Sequence, residues 1–299
     1  MSIKKDIIYP SWKLINEDIK LKKVFFFPGL FSIIFAFFIL AYQTIYTYVV
    51  FFHKKQEALS VIINFFESKY FFQVLIIFLI FLILYIFLIP IFEWWLIKYI
   101  DSKAKWDKPA IWDLIWFWIN NFLKIFEFSN LSSELKFLAI LNIYLFLIRW
   151  FKWTHIKELT IWVLIFFIFA TILNILFIYT KYEIVLEKKW VIWAIEKSKE
   201  MAILNFVMTL KIYLFMFLLN IRILINFIVI LFFPILVSFL FISSLGIFLK
   251  YLSIIILLIV FIWILVILWY LSWVLDIFKT SIWYYAYKKS KQKVEYIKK

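Results

Sequence analysis

Six apolar runs dominate the chain: residues 24–52, 70–97, 135–151, 159–180, 206–240 and 247–275. A helix needs about 20 apolar residues to cross a hydrocarbon core about 30 Å thick. Within each run Phe, Ile and Leu fall on every side, with no alternation of polar and apolar positions. A period of two would mark barrel strands; its lack marks helices, which close their backbone hydrogen bonds within the segment. Hydrophobic residues make up 67% of the chain and charged ones 17%, whereas a soluble domain runs nearer half apolar and a quarter charged. The fold class expected is all-α, a polytopic transmembrane helical bundle. One domain over residues 1–299 holds six spans. The first run follows a lysine-rich segment and has no small-residue cleavage site, which fits a first span and not a removed signal peptide.

Lysine placement sets the expected topology. Lys4, Lys5, Lys13, Lys20, Lys22 and Lys23 precede the first run, and Lys288, Lys289, Lys291, Lys293, Lys298 and Lys299 follow the last. The segments after the second and fourth runs are also lysine-rich. Far fewer basic residues, among them Lys54, Lys69 and Arg149, lie in the alternate loops. The bias places both termini in the cytoplasm, in a multi-pass protein of the plasma membrane. The net charge of +15 is spread over these segments and no nucleic-acid motif accompanies it. Its expected partners are therefore membrane lipids, through anionic head groups at the cytoplasmic face, and not nucleic acid. No protein partner is indicated.

Three amphipathic helices are expected on the approaches to spans, at 11–23, 110–126 and 190–205. The last lies in the charged stretch 181–206. Val191, Ala194, Ile195, Ser198, Met201, Ala202 and Asn205 recur there at helical spacing, with Glu196, Lys197, Lys199 and Glu200 on the other face. Such a helix lies on the inner leaflet or against the bundle.

The pattern Ile184-Val185-Leu186-Glu187, Ala194-Ile195, Ser198 and Asn205-Phe206, with Trp12-Lys13-Leu14, Phe278-Lys279-Thr280 and Tyr284-Tyr285, resembles a bacterial membrane-domain superfamily. That domain has six spans and stands beside some glycerophosphodiester phosphodiesterases, or alone in integral membrane relatives. The resemblance implies six helices in a membrane. It supplies no activity for the membrane part, and this chain has no room for the soluble phosphodiesterase barrel. The family often has Gly where this chain has Trp190 or Trp193. Gly is 2 and Trp is 16 here, although Gly is favoured in membrane helices. Either Trp forms an interfacial belt, to which Trp94, Trp95, Trp106, Trp112, Trp116 and Trp118 would belong, or some Trp positions stand for glycine codons in a variant code.

No chemistry-bearing motif emerges. Cysteine is absent, which excludes disulfides, thiolate metal sites and Cys nucleophiles. Gly29 and Gly246 cannot make a phosphate loop, and no HExxH or GxSxG occurs. The reading is non-enzymatic, with no catalytic residue and no cofactor. His53 and His155 stand four and three residues before Glu57 and Glu158, a spacing that makes them weak metal candidates. The candidate for binding an anionic ligand or lipid is Arg222, with Asn220 and Asn226 beside it and Asn142 as a further partner. A helix over 206–240 would be about 50 Å long, longer than the bilayer core. Arg222 thus either snorkels to the inner interface or sits mid-membrane and needs an anionic partner. The resulting function is an integral membrane protein that handles lipid or organises the membrane. One rival is a small permease for an anionic or amphiphilic solute, using Arg222. The other is an enzyme acting on lipid head groups, with Glu93, Asp101, Asp107, Asp113 and Asp276 as the acids available.

Overall fold

The structure is a computed structural model that describes residues 2–18, 21–22, 49, 55–105, 111–133, 135, 137–151, 155–221 and 247–298. The described residues are helical with no strand, which establishes the all-α class. A wide π-type turn over Lys4–Ile8 leads into α1, Tyr9–Glu17, which has Pro10 in its first turn, where a missing N–H costs nothing. The expected helix over 11–23 thus ends early. Asp18 leaves helical geometry, and its carboxylate accepts the Leu21 N–H at 3.1 Å.

Helix α2, Lys55–Glu67, occupies what reads in sequence as a loop, and α3, Phe71–Ala104, follows it. The axes of Leu59–Glu67 and Phe71–Leu84 differ by 97°. Then come α4, Ile111–Ser133; α5, Phe137–Phe151; and α6, Ile156–Phe177. The helix expected over 110–126 thus runs one to two turns further. The charged stretch 181–206 is two helices, α7 (Thr180–Glu187) and α8 (Val191–Leu204). They part at Lys188, the only described non-glycine residue with positive φ (57°). After α8 the axis turns by 97° into α9, Phe206–Ile221. The last helix, α10, is Ile247–Lys298.

Length explains the architecture. Helix α3 has 34 residues and α10 has 52, so at about 1.5 Å per residue both exceed a bilayer core. The first half of α3 exposes Phe72, Ile76, Ile77 and Phe78, whereas Trp94, Leu96, Ile97 and Ile100 near its end are buried. The second half of α10 is likewise buried through Ile277, Ile282, Tyr284 and Tyr287. These ends pack with α1, α7, α8 and the start of α9 into one core. One end of the molecule is therefore a packed layer, and the apolar helices stand on it.

The expected face of α8 holds. Val191, Ala194, Ser198, Met201, Ala202 and Asn205 are buried, and Glu196 and Lys199 are exposed. This face packs on α6, α7 and α10. Trp94 is 2% exposed with its ring edge towards Phe128, so it fills core and belongs to no belt. Trp190 and Trp193 are exposed, and Trp190 at φ −70° and ψ 155° holds a conformation open to any residue.

Among the described residues one helical run, Ile156–Glu187, in which α6 passes into α7, is long and apolar enough to cross a membrane. Up to three are, if each bent pair is one span. The expected run 24–52 and most of 206–240 lie outside the described residues.

Candidate functional site

Two features of the packed end bear on function: a network of carboxylates, and a basic groove beside it. In the network Asp18, Asp101 and Glu183 are buried and each is held from more than one segment, and Asp6 and Glu187 lie at its edge. Asp101 of α3, 4% exposed, accepts the Tyr284 hydroxyl at 2.8 Å and the Lys105 ammonium at 2.7 Å, with Lys288 at 3.7 Å. Asp18 accepts the Tyr99 hydroxyl at 2.9 Å and faces Lys103 at 3.2 Å. Glu183 of α7, fully buried, accepts Lys189 at 2.7 Å and the Tyr287 hydroxyl at 2.9 Å. Lys291 meets Glu187, and Lys289 meets Asp6.

The electrostatic consequences follow from enclosure. Burial opposes ionisation of Asp101, but Lys105, Tyr284 and Lys288 outweigh it and hold the carboxyl below its ordinary range. Asp18 is held low in the same way, against burial, by the Leu21 N–H, Tyr99 and Lys103. Burial and the Asp18 charge push Tyr99 up to about 12. Burial, then Asp101, raises Tyr284; burial, then Glu183 and Glu187, raises Tyr287. These phenols stay protonated and donate, and Asp18 and Asp101 stay charged and accept. The network therefore serves as structure.

The groove lies at the right-angled junction of α8 and α9. Ile203, Leu204, Phe206, Val207 and Met208 form an apolar floor around about 360 Å³, with Ile3 at one side. Two exposed lysines stand on it, Lys211 from α9 and Lys293 from α10. Lys293 donates to the Leu204 carbonyl at 3.4 Å, one of the acceptors a helix leaves open at its C-terminus. Among the described residues no acid lines this groove. Helix α9 buries Thr209, Ile212 and Met216, and it exposes Val207, Leu214, Leu218 and Ile221 on the side that carries Lys211. Two cations above an apolar strip can hold an anion that is attached to hydrocarbon.

Arg222, Asn226 and His53 lie outside the described residues. Asn220 and Asn142 are exposed, on α9 and α5. His155 is exposed at the start of α6, and no group of three or more His, Cys, Asp or Glu suited to a metal occurs among the described residues. Of the five acids weighed for an enzyme, the side chains of Glu93, Asp101 and Asp276 are described, and each has a lysine beside it. Glu93 pairs with Lys181 at 2.6 Å, Asp101 sits in the network, and exposed Asp276 faces Lys279 at 3.6 Å. Asp107 and the side chain of Asp113 lie outside the described residues. Sequence reasoning missed the pairing of Lys211 with Lys293, because 82 positions separate them. It used Tyr284, Lys288 and Lys291 only for a resemblance and for topology and did not name Tyr287, although their three- and four-residue spacing marks one face of α10.

Fold and site together define an all-α protein with a span-length apolar helix and a densely ion-paired end. Comparison with protein-family models, with curated proteins and with solved structures finds no match.

Proposed function

We propose that the chain is a six-span protein of the plasma membrane that handles anionic lipid at its cytoplasmic face. In this reading the packed end lies at the inner leaflet, α8 runs along the interface and α9 enters the bilayer. The carrying observation is the α8–α9 groove, where Lys211 and Lys293 rise from an apolar floor with no acid among its described lining residues. A basic residue near an anionic leaflet contributes about 1 kcal/mol, and the exposed strip Val207, Leu214, Leu218 gives acyl chains a surface. The resemblance of the 184–206 and 278–285 patterns to six-span membrane domains supports the same layout. Arg222, the cation to which the sequence alone points, lies outside the described residues and is tested beside the two lysines.

The test is native mass spectrometry of the full chain released from bilayers of mixed anionic and choline lipid. The wild type is expected to retain anionic lipid. The double variant Lys211→Gln, Lys293→Gln should lose it roughly tenfold or more, two lysines at about 1 kcal/mol each. Arg222→Ala, run beside it, tells whether that residue shares the site. Equal retention by the wild type and the lysine double variant refutes the groove as the lipid site.

A further inference from the structure

The Glu93–Lys181 pair differs from the other ion pairs of the packed end because it opens on a cavity. The cavity measures about 140 Å³ and lies between α3, α4 and the junction of α6 with α7. A water takes up about 30 Å³ of liquid, so there is room for several waters or one small polar group. Its polar lining is Glu93, Lys181, Ser129, Ser132 and Asn174, and Trp94 is among its apolar walls.

The polar groups are held in place. The Asn174 amide donates to the Leu135 carbonyl at 2.7 Å, which leaves its own side-chain oxygen as an acceptor. The Ser132 hydroxyl donates to the Ser129 carbonyl at 3.2 Å. Lys181 lies over the Tyr182 ring, 5.4 Å from its centre, and reaches Glu93 Oε1 at 2.6 Å. The Glu93 side chain is 40% exposed and that of Lys181 18%. Water reaches the pair on the Glu93 side and screens its attraction there, so a ligand that replaces both contacts can part it.

The charges decide which ligand. A lone anion entering here would face Glu93, and a lone cation would face Lys181. A molecule carrying both signs a few bonds apart replaces one contact by two. We propose that this cavity binds an ammonium–phosphate zwitterion of the phosphoethanolamine type. The ammonium donates to Glu93 and the Asn174 oxygen; the phosphate accepts from Lys181 and the Ser129 hydroxyl. The inference rests on the lipid reading above only for where the group comes from, an ethanolamine phospholipid or free phosphoethanolamine.

The full chain is placed in bilayers holding equal ethanolamine and choline phospholipid of identical chains plus some anionic lipid, and retained lipid is read by native mass spectrometry. Choline has no N–H to donate. The wild type should retain the ethanolamine lipid on the order of tenfold over the choline lipid, the worth of one charge-assisted hydrogen bond. Glu93→Gln with Lys181→Met removes both charges together, so no buried charge is orphaned. That variant should keep its helicity and its anionic lipid and lose the preference. Displacement of ethanolamine lipid by free O-phosphoethanolamine assigns the site to the soluble zwitterion; a preference that resists displacement assigns it to the lipid. Equal retention of the two lipids by the wild type, or a preference that survives in the double variant, overturns the proposal. A preference without anionic retention would refute the Lys211–Lys293 groove and leave this cavity standing.

Discussion

Asp101 shows how a single residue ties distant chain segments together. Its carboxylate holds Tyr284 from α10 and Lys105, the residue just past the end of its own helix, and it is itself almost wholly buried. Lys105 and Lys288 are partly exposed and therefore screened, so most of its worth lies in the Tyr284 hydrogen bond, about 2 kcal/mol. A carboxyl held below its ordinary value stabilises the fold fully above the unfolded pKa, and that stability fades as pH falls through the lowered folded value. Asp101→Asn should therefore lower the Tm of the solubilised protein by a few degrees at pH 7. Below the ordinary carboxylate range the gap between variant and wild type should narrow, because the unfolded chain takes up the proton first and the folded wild type loses the charge as pH falls through its lowered value. Thermal unfolding at pH 7 and below that range checks this, and a gap that is constant with pH would mean the ionised form contributes nothing. Asp101 was visible in the sequence only as one acid in a charged segment. Its partner Tyr284 lies 183 positions away, a distance over which helical periodicity carries no information.

At the scale of elements, the break between α6 and α7 depends on one hydroxyl of α8. Ser198 donates to the Leu176 carbonyl at 2.6 Å and accepts the Tyr179 N–H at 3.1 Å. It thus satisfies two backbone groups that the helix leaves open at the turn between Phe177 and Thr180. Removing it orphans both in a buried place, at a cost of about 1–3 kcal/mol for each. Ser198→Ala should raise hydrogen exchange over residues 176–182 by one to two orders of magnitude and leave α2 unchanged. Uniform exchange in variant and wild type would show that the turn holds without α8. Sequence periodicity found the buried face of α8, because 3.6-residue recurrence survives in any packed amphipathic helix. It assigned no helix of its own to 180–187, where α7 lies, and the boundary at Lys188, in the left-handed region at φ 57°, has no glycine to announce it. It also extended the first amphipathic helix past Asp18, which leaves helical geometry and whose carboxylate accepts the N–H of Leu21, three residues ahead.

For the whole molecule, the N-terminal segment and the end of α10 are physically joined. Lys289 meets Asp6, and the Trp12 and Phe278 rings meet edge to face at 5.8 Å. Two segments in contact share one side of any membrane, so the contact favours an even number of spans, as the lysine distribution does. The absence of cysteine makes this directly measurable, since any introduced thiol reports alone. Ser2→Cys and Gln292→Cys should resist a membrane-impermeant maleimide in intact cells and react once the inner face is opened. His155→Cys, at the far end of α6 from the packed layer, should react from outside. Each site is exposed, so silence means sidedness and not burial. Ser2 and Gln292 labelling from opposite sides would contradict both the Asp6–Lys289 contact and the six-span reading. Both labelling from outside would keep the contact and invert the molecule, moving the Lys211–Lys293 groove away from the leaflet where anionic lipid is concentrated. The same three thiols therefore test the topology read from the lysines and the packing read from the structure, and they tell which of the two fails.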